Sequence, residues 1–282
     1  MTNAAFADKA VLTAAAARIS NYIHHTPLMS CATIDRICGC EIVFKCENFQ
    51  KAGAFKSRGA ANAVFSLLES GFRGSVATHS SGNHAQALSR VALHAGINAH
   101  VVMPENSLIS KINATKEYKA QITFCKPTLE ARESTLREVM AATGAVEIHP
   151  YDNTDIIAGQ ATCAMEILDE YKPDFILAPV GGGGLLSGTA LAAAHSGQTV
   201  KVIGAEPAGA ADAFESFRTK TFVPSVNPKT IADGLLTSLG KFTFPLILQH
   251  VSDILLAEEN EIIEAMRLLW ERAKIMAEPS SA

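Results

Sequence analysis

The sequence lacks the features that mark secreted, membrane-spanning or nucleic-acid-binding proteins. Its 282 residues contain no apolar run of the ~18 residues that a membrane-spanning helix needs. Residues 1–18 lack a basic start followed by an apolar core, so no secretion signal is expected. Basic residues are scattered, and a formal net charge of -4 gives no reason to expect a nucleic-acid or anionic-membrane partner. These absences predict a soluble, cytoplasmic protein.

The six cysteines show no pattern typical of a disulfide framework or a zinc site. No Cys-x-x-Cys pair occurs, and no cysteine is spaced with histidine as zinc ligands are. Four of the six lie between Cys31 and Cys46, which leaves a metal cluster as an alternative. Reduced thiols in an intracellular compartment are the favoured interpretation.

Short apolar segments alternate with alanine- and leucine-rich segments along most of the chain. Strand-like and helix-like segments follow each other from residue 75 to residue 149, and a similar order recurs in residues 156–205. This alternation predicts an α/β protein of two lobes with doubly wound, mainly parallel sheets. We expect a large domain of residues 1–70 and 150–282, into which a small domain of residues 74–149 is inserted.

The remainder of the second half is less regular. Residues 208–243 contain Pro224, Pro228 and Gly234 and are predicted to be rich in loops. Apolar residues at helical spacing then predict one strongly amphipathic helix over residues 259–276.

One lysine lies where a glycine-containing loop meets a helix. Lys56 follows Gly53 and Phe55, and an alanine- and leucine-rich helical run ends near Leu68. The partly positive helix start and partial burial would lower the pKa of the Lys56 amine. A neutral amine is what Schiff-base chemistry requires. The alternative is an exposed lysine beside a helix start.

Two further loops are suited to binding anions. Residues 181–184 are four glycines between an apolar strand and a helix, so backbone N–H groups can surround a phosphate there. The pattern is neither a dinucleotide fingerprint nor a P-loop, and its alternative is a flexible turn. Residues 80–84, Ser-Ser-Gly-Asn-His, offer hydroxyls, an amide and N–H groups at a helix start, which suit a carboxylate. Their alternative is an ordinary helix cap.

A third cluster has the composition of a cation site. Glu206, Ala210 and Asp212 lie just beyond a predicted strand. Two carboxylates and a backbone carbonyl suit a hard divalent cation with water in the remaining positions. The alternative is a pair of solvated acids in a loop.

Three motifs, in this order, resemble the fold-type II pyridoxal-phosphate enzymes, and within them the serine racemase and serine/threonine dehydratase branch. They are Gly-x-Phe-Lys-x-Arg-Gly around Lys56, Ser-Ser-Gly-Asn-His-Ala-Gln-Ala-Leu from Ser80, and Gly-Gly-Gly-Gly-Leu from Gly181. His-Thr-Pro-Leu from His25 and Ala-Gly-Gln from Ala158 also match, so the resemblance spans nearly the whole chain. It implies the architecture of tryptophan synthase β-like enzymes.

The resemblance also implies a role for each cofactor-binding residue. Lys56 would join pyridoxal 5'-phosphate as a Schiff base and then move the α-proton on one face of the substrate. Phe55 would pack beside the ring, and Asn83 would hydrogen-bond the phenolic oxygen. Gly234 would be a further cofactor contact. The phosphate would be held by Gly181, Gly182, Gly183 and Gly184.

The substrate side of the site is implied in the same way. The carboxylate would be bound by Ser80, Ser81, Gly82, Asn83 and His84. Ser81 matches the serine that in racemases faces the α-carbon from the side opposite the lysine. Inversion requires such a second acid/base, because one group removes the proton and another returns one from the other face.

The resemblance thus implies racemisation, dehydration to a 2-oxo acid and ammonia, or both, of a small β-hydroxy amino acid such as serine or threonine. The 3-hydroxyaspartate dehydratases share Ser81 and are an alternative. The resemblance also implies a magnesium ion (or Ca²⁺ or Mn²⁺) at Glu206, Ala210 and Asp212, a homodimer, and a possible nucleotide effector.

Two features depart from the family pattern. Residues 149–153 read His-Pro-Tyr-Asp-Asn instead of His-Pro-Asn, which is closer to bacterial dehydratases. The family also has a Ser-Gly-Gly-Asn turn whose hydroxyl meets the pyridine nitrogen, and these 282 residues contain none. A second alternative is therefore an impaired fragment that binds pyridoxal phosphate or a phosphometabolite. A β-replacement enzyme is disfavoured, because Asn83 is followed by His84 and Ala85 where cysteine synthases have Thr-Gly.

Overall fold

Helices and strands alternate through the computed structural model, which describes residues 8–80 and 82–282. The helices are α1 (Lys9–Ile19), α2 (Ala32–Cys38), α3 (Lys56–Glu69), α4 (Asn83–Ala95), α5 (Ile109–Glu117), α6 (Leu129–Thr143), α7 (Thr154–Glu170), α8 (Gly184–His195), α9 (Asp212–Thr219), α10 (Thr243–His250) and α11 (Glu259–Leu268). The strands are β1 (Leu28–Ser30), β2 (Val43–Lys45), β3 (Val76–His79), β4 (Ala99–Pro104), β5 (Gln121–Cys125), β6 (Val146–Glu147), β7 (Phe175–Pro179), β8 (Lys201–Pro207) and β9 (Asp253–Ala257).

Two parallel sheets organise the fold. One has the strand order β5-β4-β3-β6 and the other the order β7-β8-β9, and every neighbouring pair in both is parallel. A separate antiparallel pair joins β1 to β2. The predicted α/β class with mainly parallel sheets is confirmed. The first sheet comes entirely from residues 76–147, whereas the division of the chain into two domains stays a prediction.

Helix starts and ends follow local chemistry. The side chains of Asp8, Thr128 and Asn153 accept hydrogen bonds from the first backbone N–H groups of α1, α6 and α7. Gly96 and Gly144 take the left-handed conformation after α4 and α6, which a residue without a β-carbon adopts at little cost. These capping residues explain why most predicted helix bounds lie within a few residues of the observed ones.

Helix α7 packs against three other helices, α1, α3 and α8. All residues from Ile156 to Ala164 are buried. Helices α3 and α7 approach very closely where two glycines meet, since a β-carbon on Gly159 would lie 2.6 Å from the Cα of Gly59. The Gly59 N–H also donates to Gln160 Oε1 at 3.1 Å. This contact fixes the first turn of α3, and with it the position of Lys56.

Some elements differ from the prediction. Helix α9 occupies part of the segment expected to be loops, because the carboxylate of Glu206 accepts the N–H groups of Ala213 and Phe214 in its first turn. The predicted helix 259–276 ends at Leu268, and one π-helical stretch to Ala273 follows. Helix α2 and strand β1 were not predicted.

Two further findings concern the cysteines and the hydropathy of the helices. All six cysteines are free thiols. Across residues 8–80 and 82–282, no helix is both long enough and apolar enough to cross a membrane.

Candidate active site

Lys56 is the first residue of α3, and its side chain is turned inward. Its Nζ donates to the carbonyl oxygen of Pro150 at 2.9 Å and lies 5.3 Å from the centre of the Phe55 ring. Burial lowers the pKa of the amine to about 8, while the carboxylate of Glu278 acts in the opposite direction. The direction agrees with the sequence-based prediction, and a sizeable neutral fraction is therefore available near pH 8.

The turn that carries Lys56 is anchored by a buried ion-pair network that the sequence analysis missed. Arg58 is fully buried and binds two carboxylates through paired hydrogen bonds, at 2.8 and 2.8 Å to Glu47 and at 2.6 and 2.8 Å to Glu166. Lys45 adds an ion pair to Glu166 at 2.6 Å. Burial alone would raise the pKa of Glu166, but the bonds from Arg58 and Lys45 hold it below its usual value.

Asn83 begins α4 and reaches a residue near the end of the sequence. Its Nδ2 donates to Glu278 Oε1 at 2.8 Å. Burial raises the pKa of Glu278, whereas Lys111, Asn83 and Lys56 favour its charged form. Glu278 thus faces both Asn83 and the Lys56 amine, and sequence reasoning gave it no role because nothing local marks it.

Gly82 and His84, two further predicted substrate-binding residues, lie at the start of α4. Gly82 occupies the N-cap position, and no side chain of the described residues caps the helix. His84 is buried, and its Nε2 bonds the carbonyl oxygen of Ile148 at 3.0 Å. Burial lowers the pKa of His84 to about 3, with Lys56 adding to the effect, so the ring stays neutral. Ser80 bonds Val102 through its N–H, and Ser81 lies outside the described residues.

The four glycines lie between β7 and the N-terminus of α8. Within residues 8–80 and 82–282, no side chain caps this helix, and Gly183 has a φ of 85°, a conformation that favours glycine. A β-carbon on Gly182 would lie 2.3 Å from the ring of Tyr151, and one on Gly181 would lie 3.1 Å from the carbonyl oxygen of Gly234. The loop therefore has its helix N-terminus uncapped and no room for side chains, a geometry compatible with the phosphate site that stays a prediction.

A series of short contacts brings the predicted cofactor residues together. Pro150 accepts the bond from Lys56, and the adjacent Tyr151 packs on the glycine loop. On the other side, Gly234 lies against Gly181, and its N–H donates to Ser280 Oγ at 2.9 Å. Ser280 is two residues from Glu278, which bonds Asn83. The amine, the amide and the glycine loop thus surround one region.

The predicted cation residues also lie together. Among the described residues, both carboxylate oxygens of Asp212 are buried and have no partner at normal hydrogen-bond geometry, and burial raises the pKa of this group to about 6 against the opposing effect of nearby Ser225. Burial likewise raises the pKa of Glu206 to about 8. Ala210 is buried beside them, and a cavity of about 350 Å³ is lined by Ala210, Asp212 and Glu215 among others. A bound cation would satisfy the orphaned Asp212 oxygens, so the donor set fits a hard divalent ion.

The residues of the main site fit pyridoxal 5'-phosphate. An amine with a lowered pKa suits the aldehyde, and an uncapped helix N-terminus with four glycines suits the phosphate. Such a site defines a class of enzyme that holds a phosphorylated carbonyl cofactor beside an activated lysine.

Comparison with known proteins identifies the family. The profile described as "Pyridoxal-phosphate dependent enzyme" matches residues 19–282, and the chain belongs to this family. Serine racemase from Dictyostelium discoideum is 47% identical over 269 residues, which cover 94% of this chain and 83% of the racemase. The crystal structure of that racemase superposes on this chain with a TM-score of 0.91 at 46% sequence identity. The superposition covers 95% of this chain and 87% of the racemase chain.

Two dehydratase-type relatives are similar as well. The beta-hydroxyaspartate dehydratase of Paracoccus denitrificans is 44% identical, covering 95% of this chain and 86% of the dehydratase. The crystal structure of a T.th. threonine deaminase has a TM-score of 0.90 at 38% identity, covering 95% of this chain and 88% of its own. The predicted family and enzyme class, a pyridoxal-phosphate-dependent racemase or ammonia-lyase, are confirmed.

Proposed function

We propose that this enzyme racemises a small β-hydroxy amino acid, dehydrates it to a 2-oxo acid and ammonia, or does both. Serine and threonine are the expected substrates. The observation that carries the proposal is the Lys56 amine, whose pKa is lowered to about 8 and which lies in the same region as the uncapped glycine loop. The relatives named serine racemase and threonine deaminase support the same substrate class.

The geometry supports a specific set of residues as those that would hold the cofactor. Lys56 supplies the amine for its aldehyde, and Gly181, Gly182, Gly183 and Gly184 receive its phosphate. When bound, pyridoxal phosphate supplies an electron sink that stabilises negative charge at the substrate α-carbon. Phe55, Asn83 and Gly234 border the same region and are proposed as further contacts.

The protein's own groups remove the α-proton and bind the substrate carboxylate. Neutral Lys56 removes the α-proton, and the Pro150 carbonyl that accepts its hydrogen bond orients the Nζ. The substrate carboxylate is held by the residues at the start of α4, which are Ser80, Ser81, Gly82, Asn83 and His84. Because His84 is neutral, its ring adds no positive charge beside the substrate carboxylate.

The product depends on whether the α-carbon receives a new proton or the bond to the β-hydroxyl breaks. If Ser81 returns a proton to the opposite face of the α-carbon, the enantiomer forms. If the β-hydroxyl leaves, water is lost, and hydrolysis of the resulting enamine gives the 2-oxo acid and ammonia. Both outcomes begin with the same proton removal by Lys56.

Dehydration of 3-hydroxyaspartate is a second candidate on the same site. The relative from Paracoccus denitrificans, named a beta-hydroxyaspartate dehydratase, favours it. The third hypothesis is an impaired protein that binds pyridoxal phosphate or another phosphometabolite without turnover.

Substrate assays separate these readings. Each of serine, threonine and 3-hydroxyaspartate is supplied to the cofactor-loaded protein, and both 2-oxo acid and enantiomer are measured. We expect turnover that Lys56→Ala abolishes, with a borohydride-stable cofactor adduct on Lys56 by mass analysis. Ser81→Ala should lower racemisation far more than dehydration. No adduct on Lys56 would refute the catalytic account, and an adduct without turnover of any substrate would favour the binding protein.

Several finer features are proposed from the sequence. They are Mg²⁺ (or Ca²⁺ or Mn²⁺) at Glu206, Ala210 and Asp212, a homodimer, a nucleotide effector and a cytoplasmic location. The buried, unpartnered Asp212 oxygens support the first of these. The others rest on the family resemblance and composition.

A further inference from the structure

Two histidines and a glutamate converge at one edge of the four-stranded sheet, outside the residues assigned above. His79 ends β3, Glu147 ends β6, and His149 lies two residues further on. Because β3 and β6 are parallel with Ala77 opposite Glu147, the register directs all three side chains to one face of the sheet. One potential ligand atom from each lies within 4.8 Å of the other two.

These three groups face one another without direct bonds. Among the residues that the structure describes, no hydrogen bond or ion pair joins the Glu147 carboxylate to either ring, or to any other side chain. The His79 and His149 rings meet edge to face, with centroids 5.7 Å apart. The Glu147 carboxylate is half-buried and forms no hydrogen bond or ion pair with the described side chains, so a ligand placed between it and the two imidazoles would displace no bond at this carboxylate.

We propose that His79, Glu147 and His149 form a binding site for a Zn²⁺-class transition-metal ion. Two imidazole nitrogens and one carboxylate oxygen are the ligand types that zinc prefers, and they leave further positions open for water. Tetrahedral bonds of ~2.1 Å place ligand atoms roughly 3.4 Å apart. Side-chain rotations that move the ligand atoms by about 1 Å bring them to this spacing.

The surroundings are compatible with a cation. Burial lowers the pKa of both rings, so each is in the neutral form that binds metal. Arg132, Lys56 and Lys241 contribute positive charge nearby, which opposes a bound cation, and Glu133 contributes negative charge, which favours one. Burial and the neighbouring Glu133 raise the pKa of Glu147, and a bound metal ion would favour its charged form.

Occupancy of this site is coupled to the catalytic lysine through the turn after β6. His149 Nδ1 accepts the N–H of Asp152 at 2.9 Å. Ligation through Nε2 puts the ring proton on Nδ1, and ligation through Nδ1 uses the same lone pair, so either mode ends that hydrogen bond. The turn contains Pro150, which accepts the bond from Lys56, and Tyr151, which packs on the glycine loop. Zinc should therefore inhibit the enzyme.

Direct titration tests the site without relying on turnover. Zn²⁺ is titrated into the cofactor-loaded protein in competition with a chromophoric chelator, in excess Mg²⁺ to occupy the hard-ligand site at Asp212. We expect one Zn²⁺ per chain, bound more than about tenfold more weakly by Glu147→Gln and by His79→Gln. Glu133→Gln removes a neighbouring exposed acid that is not a ligand, and its affinity should stay within about twofold of wild type.

Two readouts complete the test. Co²⁺ in place of Zn²⁺ should give the visible absorption bands of a low-coordinate site in wild type and not in Glu147→Gln. Zn²⁺ should inhibit wild type at concentrations that leave Glu147→Gln active, although both have the same activity without zinc. Equal affinity of wild type and Glu147→Gln would overturn the site. Equal inhibition of the two would overturn its coupling to Lys56.

Discussion

The protonation of Lys56 is set by burial on one side and by the Glu278 carboxylate on the other. Burial favours the neutral amine, and the negative charge favours the ammonium. A carboxylate 222 positions away in the sequence therefore adjusts the reactivity of the lysine that the sequence marks most clearly.

This balance predicts a pH dependence. Only the neutral amine attacks an aldehyde, so covalent capture of pyridoxal phosphate should rise as the pH passes through about 8. In Glu278→Gln the opposing charge is lost, and the rise should move to lower pH. Capture is measured on cofactor-free protein as borohydride-stable adduct at a series of pH values. Glutamine keeps the acceptor for Asn83, so the change isolates the charge, and an unchanged profile would contradict the assignment.

Arg58 should be among the most sensitive residues for stability. Arg58→Ala leaves the partly buried carboxylates of Glu47 and Glu166 without their main partner, so we expect a loss of about 3–5 kcal/mol in the free energy of unfolding. Arg267→Ala removes an exposed pair with Glu271 and should leave the free energy of unfolding nearly unchanged, because solvent screens this pair. Urea unfolding of both variants gives the comparison. Similar losses would mean that the buried network does not hold the Lys56 turn.

At the scale of elements, the contact between α3 and α7 positions the catalytic lysine. A β-carbon on Gly159 would lie 2.6 Å from Gly59 Cα and 2.7 Å from the Arg58 carbonyl oxygen, both backbone atoms that cannot rotate away. The helices must therefore separate if Gly159 is replaced.

Gly159→Ala should accordingly lower the free energy of unfolding by about 1–3 kcal/mol and reduce turnover at saturating cofactor. Asp169→Ala introduces alanine on the exposed face of α7 instead. It should change the free energy of unfolding by less than about 0.5 kcal/mol. Thermal unfolding and steady-state assays measure the two effects. A stable Gly159→Ala variant with normal turnover would show that the close approach is not required.

Element bounds were predictable where capping and periodicity are local. Asn153 and Gly144 mark helix ends by their own chemistry. Helix α9 was not predictable from its own sequence, because its cap is the carboxylate of Glu206, seven residues before Ala213 and at the end of a strand.

At the scale of the whole molecule, the buried acids beside α9 link stability to a cation. Mg²⁺ should raise the melting temperature by roughly 5 °C at a concentration about 100 times its dissociation constant. Asp212→Asn should abolish this increase, since it removes the charge of the unpartnered carboxylate. Glu264→Gln changes an exposed acid on α11 and serves as the control. Differential scanning calorimetry with and without a chelator measures the effect, and an equal increase in Asp212→Asn would place the ion elsewhere.

The family, the α/β class, the position of Lys56 and the glycine loop were determined by the sequence alone. Each depends on chemistry within a few neighbouring residues, namely a helix start, a run without side chains or an alternation of apolar segments. Only the tertiary structure decided that Glu278 bonds Asn83, that Arg58 joins Glu47 to Glu166, and that His79 meets Glu147 and His149. Pairing of buried polar groups depends on which distant segments the fold brings together, and no local pattern specifies that.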